Sequence, residues 1–453
     1  MKTMKNFLSM AALALMGAMM TGCSNDDNFD NPQQPENKSN VVTLTTTVGL
    51  DGGATTRALT ETGVKTFAVD DQIAVIYTKN GGTVTKAVSE KLKSTDIASG
   101  SKSATFTVTL DDPDKDQNVT YIYPAAMAGE TGVDLTKLNT QEGTFDALQS
   151  KYDLCTKSGA WDAGNLPSLT LENQLAILAI TLKDNAATPS EITGGITSLT
   201  IGDGTNTYTV SRSAAAGPIY VAIRPTTNID ITANDGSQCY NKSLTGKTYS
   251  AGNGYSVSWK MAEALISNAN TVNYGKVVCA DGHLHLAKTA VPSGCTAVGI
   301  LGKVTATGHG LILALKDADT KQKFRTIIND WTSVDTYPGT TLKLLTASAR
   351  SPLTSYTKLG SVDVSNWCVG QKSDYEPIFI NLGSTVSDSD GTTYDANVNA
   401  YITTGVGGTA ISDPHWSATE SVAGSYGWIF GSLGWNPNGG FGAERSLRPV
   451  LGF

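Results

Sequence analysis

Charge is scarce in this chain: Asp, Glu, Lys and Arg make up 16% of its 453 residues, and the formal net charge is −8. No basic tract interrupts that balance, which excludes the phosphate-neutralising surface that DNA or RNA binding requires. Cysteine is scarce too, with six residues at Cys23, Cys155, Cys239, Cys279, Cys295 and Cys368. Their wide spacing contains no CxxC pair, so neither a metal-binding knuckle nor a dense disulfide scaffold is expected. Cys279 and Cys295 could pair, but buried free thiols fit the sequence equally well. Beyond the N-terminal segment no run of about 18 apolar residues exists, which excludes a later membrane-spanning helix. Also missing is any nucleophile–base constellation or paired-carboxylate spacing, so no enzymatic activity, catalytic residue or cofactor is expected. Thr404-Gly405-Val406-Gly407-Gly408 has no βαβ context and is not a dinucleotide loop.

What the chain has instead is 46 glycines, with frequent Thr and Ser, a composition that suits β-rich extracellular architecture. Its length allows two to four domains with proper cores. It begins with basic Lys2 and Lys5, followed by a short apolar stretch from Phe7 to Met20. That pattern is an export signal over residues 1–22, too short to span a membrane. Met20-Thr21-Gly22-Cys23 resembles a bacterial lipobox, which implies cleavage before Cys23 and lipid on its sulfur. Acyl chains anchor by burying methylenes, so the mature protein would sit on a membrane without crossing it. Residues 23–40 are acidic, amide-rich and Pro-containing, and read as a disordered tether. Asp26 and Asp27, close to the lipidated cysteine, are similar to the export signals of surface lipoproteins in Bacteroidetes.

Next comes VVTLTTTVGL, in which Val42, Leu44, Val48 and Leu50 share one side at period two. This predicts a half-buried strand. It is followed by the Gly-rich stretch DGGATTRAL, carrying Arg57, the first arginine of the chain. Two readings fit: an ordinary first strand and turn, or a strand that a protease can cut free.

Short strands broken by Gly, Asp, Asn and Pro continue through KTFAVDDQIAVIYT, SATFTVTL and NVTYIYP. In LTLENQLAILAITL the run Leu175–Ile180 is continuously apolar, as in a strand covered on both faces. A hairpin is expected around Asp203-Gly204. AGNGYSVSWKM turns Tyr255, Val257, Trp259 and Met261 to one side. The lipobox, the Thr-Arg-Ala site, VKTFAVDDQIAVIY, LENQLAILAITL and AGNGYSVSWKM resemble, in order, the fimbrillin family of Bacteroidales. The resemblance covers Cys23 to about Met261. It implies two transthyretin-like β-sandwich lobes, over residues 41–160 and 161–262, in a lipoprotein of the outer membrane, cell surface and fimbrium. It further implies cleavage at Arg57–Ala58 by an arginine-specific protease. Loss of the first strand would then open a groove for a donor strand from another fimbrial subunit.

Composition shifts after Met261: all four histidines and five of the seven tryptophans lie beyond it. This marks a separate domain over residues 270–453. In DTKQKFRTIINDW the spacing of Phe324, Ile327, Ile328 and Trp331 predicts a helix, with Asp319 as N-cap and Gln322 at N3. A second helix is expected through SDYEPIFINLG, making this domain α+β. Trp416-Ser-Ala-Thr-Glu420, Gly427-Trp428 and Arg448-Pro-Val-Leu-Gly-Phe453 resemble the closing strands of C-type-lectin-like domains. Such domains cap fimbrial tip subunits. Because the chain ends inside a folded unit rather than in a free donor segment, a tip adhesin is expected. The alternative is a non-polymerising surface lipoprotein that binds a glycan or protein.

Within this last domain Trp416 and Trp428 are expected in the core, with Glu420 and Arg448 as a structural pair. Trp435, Asn436, Asn438 and Phe441 lie in a Gly-rich segment that reads as a recognition loop for a host or bacterial glycan or protein. Calcium-dependent sugar binding is not implied. Glu376-Pro377 is followed by Ile378, no Trp-Asn-Asp occurs, and no cysteine follows Cys368. The lectin-like scaffold of formylglycine-generating oxidases would need a late cysteine pair, which is missing here. His283 and His285 could bind metal with a third ligand, but Leu284 and Leu286 opposite them fit a plain solvent-facing strand, and no metal is expected.

Overall fold

The computed structural model describes residues 40–50, 65–318, 321–336, 340–351, 353–384, 396–412, 414–431 and 434–453. Cys23, Arg57 and Ala58 lie outside these residues, as does Asp319. Residues Val41–Phe453 form one contact unit, and it is mainly β.

The chain opens with the strand Val41–Leu50, whose even-numbered side chains face inward. Val48 and Leu50 are buried, and so is Thr46, whose hydroxyl donates to the Pro167 carbonyl at 2.8 Å. The strand is an inner member of a seven-stranded sheet. On one side it runs antiparallel to Ser103–Asp111, from Val41↔Asp111 to Gly49↔Ser103. On the other, Val48–Leu50 runs parallel to Leu169–Leu171. The remaining strands are Cys155–Gly159, Val119–Tyr123, Ala74–Thr78 and Val84–Val88. One face carries its own core of Phe67, Tyr77, Phe106, Tyr121 and Tyr123.

The apolar run after Leu169 crosses between sheets. Leu169–Asn173 belongs to the first sheet, whereas Ala176–Lys183 is the middle strand of a three-stranded sheet with Ile219–Ile223 and Gly254–Lys260. Ala176–Ile180 is buried throughout, because this sheet is covered on both faces. The opposite layer holds Ser198–Gly202, Thr207–Ser211, Ile229–Asn234 and Cys239–Leu244, with short strands Thr140–Gln141 and Ala262–Glu263 at its edges. Asp203 shapes the hairpin of this layer, accepting from the backbone N–H of Thr205 and Asn206, while Gly204 takes φ +88°. Core residues Ala74, Ile76 and Ile122, from the other face of the first sheet, join Ile177, Leu178 and Leu199 in one cluster. One apolar core therefore continues from the first sheet into the second layer pair. Gln141 seals an edge here: its amide donates to the Ala222 carbonyl at 2.7 Å and accepts from the Ala222 N–H at 2.9 Å. A side chain thus imitates a neighbouring strand.

Beyond Met261 the chain enters an eight-stranded sheet whose central strands are Ala297–Ala306, His309–Ala314 and Val450–Gly452. The entry is held by buried asparagines. Asn241 and Asn273 exchange amide hydrogen bonds at 2.9 Å, and Asn270 donates to the Ile231 carbonyl at 3.1 Å. Two helices, Lys372–Asn381 and Ala396–Thr403, cover one face through Tyr375, Ile378, Phe379, Val398 and Ile402. Pro377 inside the first of these has no N–H for the Ser373 carbonyl. The Lys303 ammonium reaches that carbonyl instead, at 3.4 Å.

The helix expected from Asp319 starts later, as Phe324–Asp330, because Gln322–Lys323 pairs with Glu444–Arg445 as a short ladder. Of its expected apolar stripe Phe324 and Ile327 are buried and Ile328 is half-buried, while Trp331 is buried but follows the helix in extended backbone. Cys279 and Cys295 form a disulfide, while Cys155, Cys239 and Cys368 are buried.

Candidate functional site

The site begins with the last antiparallel sheet, His415–Val422, Tyr426–Gly431 and Gly434–Gly440. The segment read as a recognition loop is therefore largely a strand, paired to Tyr426–Gly431 through Phe430↔Trp435 and Gly427↔Gly439. Two glycines of this sheet, Gly439 in that strand and Gly427 in its neighbour, answer to packing, whereas Gly440 and Gly442 have open space around them. Trp416 is fully buried, and its ring lies so close to Gly439 that an added Cβ would fall 2.3 Å from it. Phe324 presses on Gly427 in the same way, at 2.6 Å. Flat aromatic rings against bare backbone need glycine, and composition alone does not separate that from a mobile loop. Gly439→Val should overpack this contact and cost about 1–3 kcal/mol. A urea midpoint for the variant within error of the parent would show that Trp416 is not held there.

The strand divides the four candidate recognition residues. Trp435 is buried, with its ring 5.4 Å from Phe430 and 6.4 Å from Trp428. Phe441 is half-buried against Phe324 at 4.8 Å, in a different core cluster. Asn436 and Asn438 are exposed. They are joined by a bond from the Asn438 N–H to Asn436 Oδ1 at 2.7 Å. The outward surface thus consists of amide groups, each able to donate and accept.

The same sheet carries a feature that sequence reading passed over. Lys372, at the start of its helix, places its ammonium 4.8 Å from the Trp428 ring centre and 5.2 Å from that of Trp435. Its charge is also paired with Glu376 at 3.3 Å. Trp428 is half-buried under this cation rather than fully internal. The i, i+4 spacing of Lys372 and Glu376 was the available signal. Asn436 pairs with Ile429, so it faces away from the side that carries Trp435 and Lys372. Exposed amides and an aromatic–cation stack each suit a ligand rich in hydroxyl or amide groups.

Under the sheet sits a charged cluster. Arg448 is fully buried and pairs with Asp317 at 2.8 Å, not with Glu420, which is exposed. Asp317 Oδ1 also meets His415 Nε2 at 2.8 Å, and His415 stacks on Phe430. The Arg448 guanidinium donates to the carbonyls of Ala314 and Thr409, and Tyr375 donates to the Arg448 carbonyl at 2.6 Å. Burial alone would raise the Asp317 pKa. The His415 hydrogen bond and the Arg448 charge outweigh it and hold the carboxyl below its ordinary value. This is a structural knot that ties the closing strand to the sheet.

A second region of interest is the first strand and its continuation. Lys65, the first residue described after Leu50, pairs with buried Asp153 at 3.2 Å and lies 4.5 Å from the Tyr123 ring centre. The chain is thus pinned at Lys65 independently of the strand.

His283 and His285 stack with ring centres 6.2 Å apart, and His283 lies 3.1 Å from Asp281 and 3.5 Å from Glu263.

No known protein family matches the sequence, and no curated protein matches it. Among solved structures, a candidate cell adhesion protein from Bacteroides uniformis is similar at 14% identity. The match covers 49% of this chain and 97% of that one, with a TM-score of 0.27. A fimbrial assembly protein from Parabacteroides distasonis is similar at 11% identity over 49% of this chain and 90% of that one, with a TM-score of 0.26. A candidate cell adhesion protein from Bacteroides fragilis is similar at 12% identity over 45% and 85%, with a TM-score of 0.27.

Proposed function

We propose that this chain is a tip subunit and adhesin of a fimbrium, exported as a lipoprotein on Cys23 and activated by cleavage at Arg57–Ala58. It has no catalytic role. Its first strand leaves after cleavage, and a donor strand from another subunit takes its place. The observation that carries this reading is the setting of Val41–Leu50, hydrogen-bonded on both sides and followed in sequence by Arg57 and then by the anchored Lys65. Cleavage between them cuts the backbone that ties the strand to the pinned chain. Its departure would strip partners from Ser103–Asp111 and Leu169–Leu171 together, and unpaired edges facing one slot recruit a strand. An incoming segment with apolar residues at period two would refill the places of Val48 and Leu50.

The C-terminal unit would carry recognition through the exposed amides of Asn436 and Asn438 on its last antiparallel sheet. Antibody against residues 270–453 is expected to label fimbriae at their ends. Labelling along the whole shaft would contradict the tip assignment. The pairing of Val41–Leu50 on both sides also favours a second reading, a permanent strand in a non-polymerising surface lipoprotein that binds a glycan or protein. On that reading no fimbriae are labelled, and the strand stays after cleavage.

A further inference from the structure

We propose that two-electron reduction of the Cys279–Cys295 disulfide turns it, together with His285, into a three-ligand site for Zn2+. Cys279 closes the strand Val277–Cys279, and His285 closes Leu284–His285, its antiparallel neighbour. His285 stands opposite Val277, which puts it diagonal to Cys279 on the same face of this ladder. The ligand atoms of Cys279, Cys295 and His285 all lie within 4.8 Å of one another. Tetrahedral zinc with thiolate and imidazole ligands needs separations of about 3.5 Å, from metal–ligand bonds of about 2.0–2.3 Å. The Cα atoms of the two cysteines are already 5.4 Å apart, so rotation about Cα–Cβ is enough to move the sulfurs.

The imidazole is prepared for this role. Its Nδ1 is buried with no hydrogen-bond partner. Nδ1 is therefore the bare nitrogen that faces the two sulfurs' cluster. In the oxidised protein the sulfurs are bonded to each other and offer no thiolate.

The chemistry balances with a dithiol as reductant. The dithiol gives two electrons and becomes a disulfide, and the Cys279–Cys295 bond opens to two thiols. Zn2+ then replaces the two thiol protons, which pass to solvent, and water fills the fourth position.

The test uses the full chain, reduced with dithiothreitol, desalted anaerobically and titrated with Co2+ as the spectroscopic stand-in for Zn2+. The expected result is one equivalent bound with a thiolate-to-cobalt charge-transfer band, which Zn2+ abolishes, and no band for the oxidised protein. Cys295→Ser should lose the band, and the triple substitution of Cys155, Cys239 and Cys368 by Ser should keep it. His285→Gln leaves the disulfide intact, so its folding can be checked in the oxidised state. After reduction it should bind at least roughly tenfold more weakly. The proposal is overturned if the reduced parent shows no band, if it unfolds on reduction by circular dichroism, if the triple variant loses the band, or if His285→Gln binds as tightly as the parent.

Discussion

Asp317→Ala is expected to destabilise the C-terminal unit by about 3–5 kcal/mol, because it leaves Arg448 charged, buried and without its counter-ion. Arg448 is fully buried and His415 lies at the same carboxylate. Chemical denaturation of Asp317→Ala measures the loss. In the double variant Asp317→Ala with Arg448→Met, most of it should return, since an apolar side chain no longer needs the charge. A double variant as unstable as the single one would mean that packing, not charge, holds this knot. The pH dependence has a definite sign. Asp317 has its folded-state pKa depressed, so its contribution is complete above the ordinary carboxylate value of about 3.9. It is lost as pH falls through the lower folded value. The gap between parent and Asp317→Ala should therefore close in acid.

The second large effect concerns the first strand. A chain without residues 41–50 should lose the cooperative unfolding of its first sheet. Burial of Val48 and Leu50 is worth about 3–6 kcal/mol together, and nine backbone pairings to Ser103–Asp111 go with it. Added in trans, the peptide VVTLTTTVGL should restore the transition. The same peptide with Val48 and Leu50 replaced by Asp should not. Full cooperativity without any peptide would show that the sheet closes on itself and that no slot exists.

These two elements differ in how far they could be read beforehand. The first strand was legible because its alternation records a face that is buried and a face that is wet. Leu175–Ile180 was legible for the complementary reason, that burial on both faces leaves an unbroken apolar run. The switch between sheets near Gln174 was not visible, since crossing from one sheet to another changes no side chain's polarity. Arg448 was noticed but assigned to Glu420. Sequence separation of charges says nothing about which carboxylate the fold delivers, and Asp317 arrives from the end of a neighbouring strand. The segment around Trp435 misled through composition: glycines that admit the rings of Trp416 and Phe324 look like those of a mobile loop. Pairing of Cys279 with Cys295 depended on a strand register that no spacing rule supplies.

The account stands on whether Val41–Leu50 can be exchanged. The direct measurement is native mass spectrometry of the protein after an arginine-specific protease has cut at Arg57–Ala58, with a labelled donor peptide in excess. The account predicts loss of the N-terminal fragment and a mass gain of one peptide per molecule, with Arg57→Ala showing neither. A cut protein that keeps its first strand and takes up no peptide would contradict it.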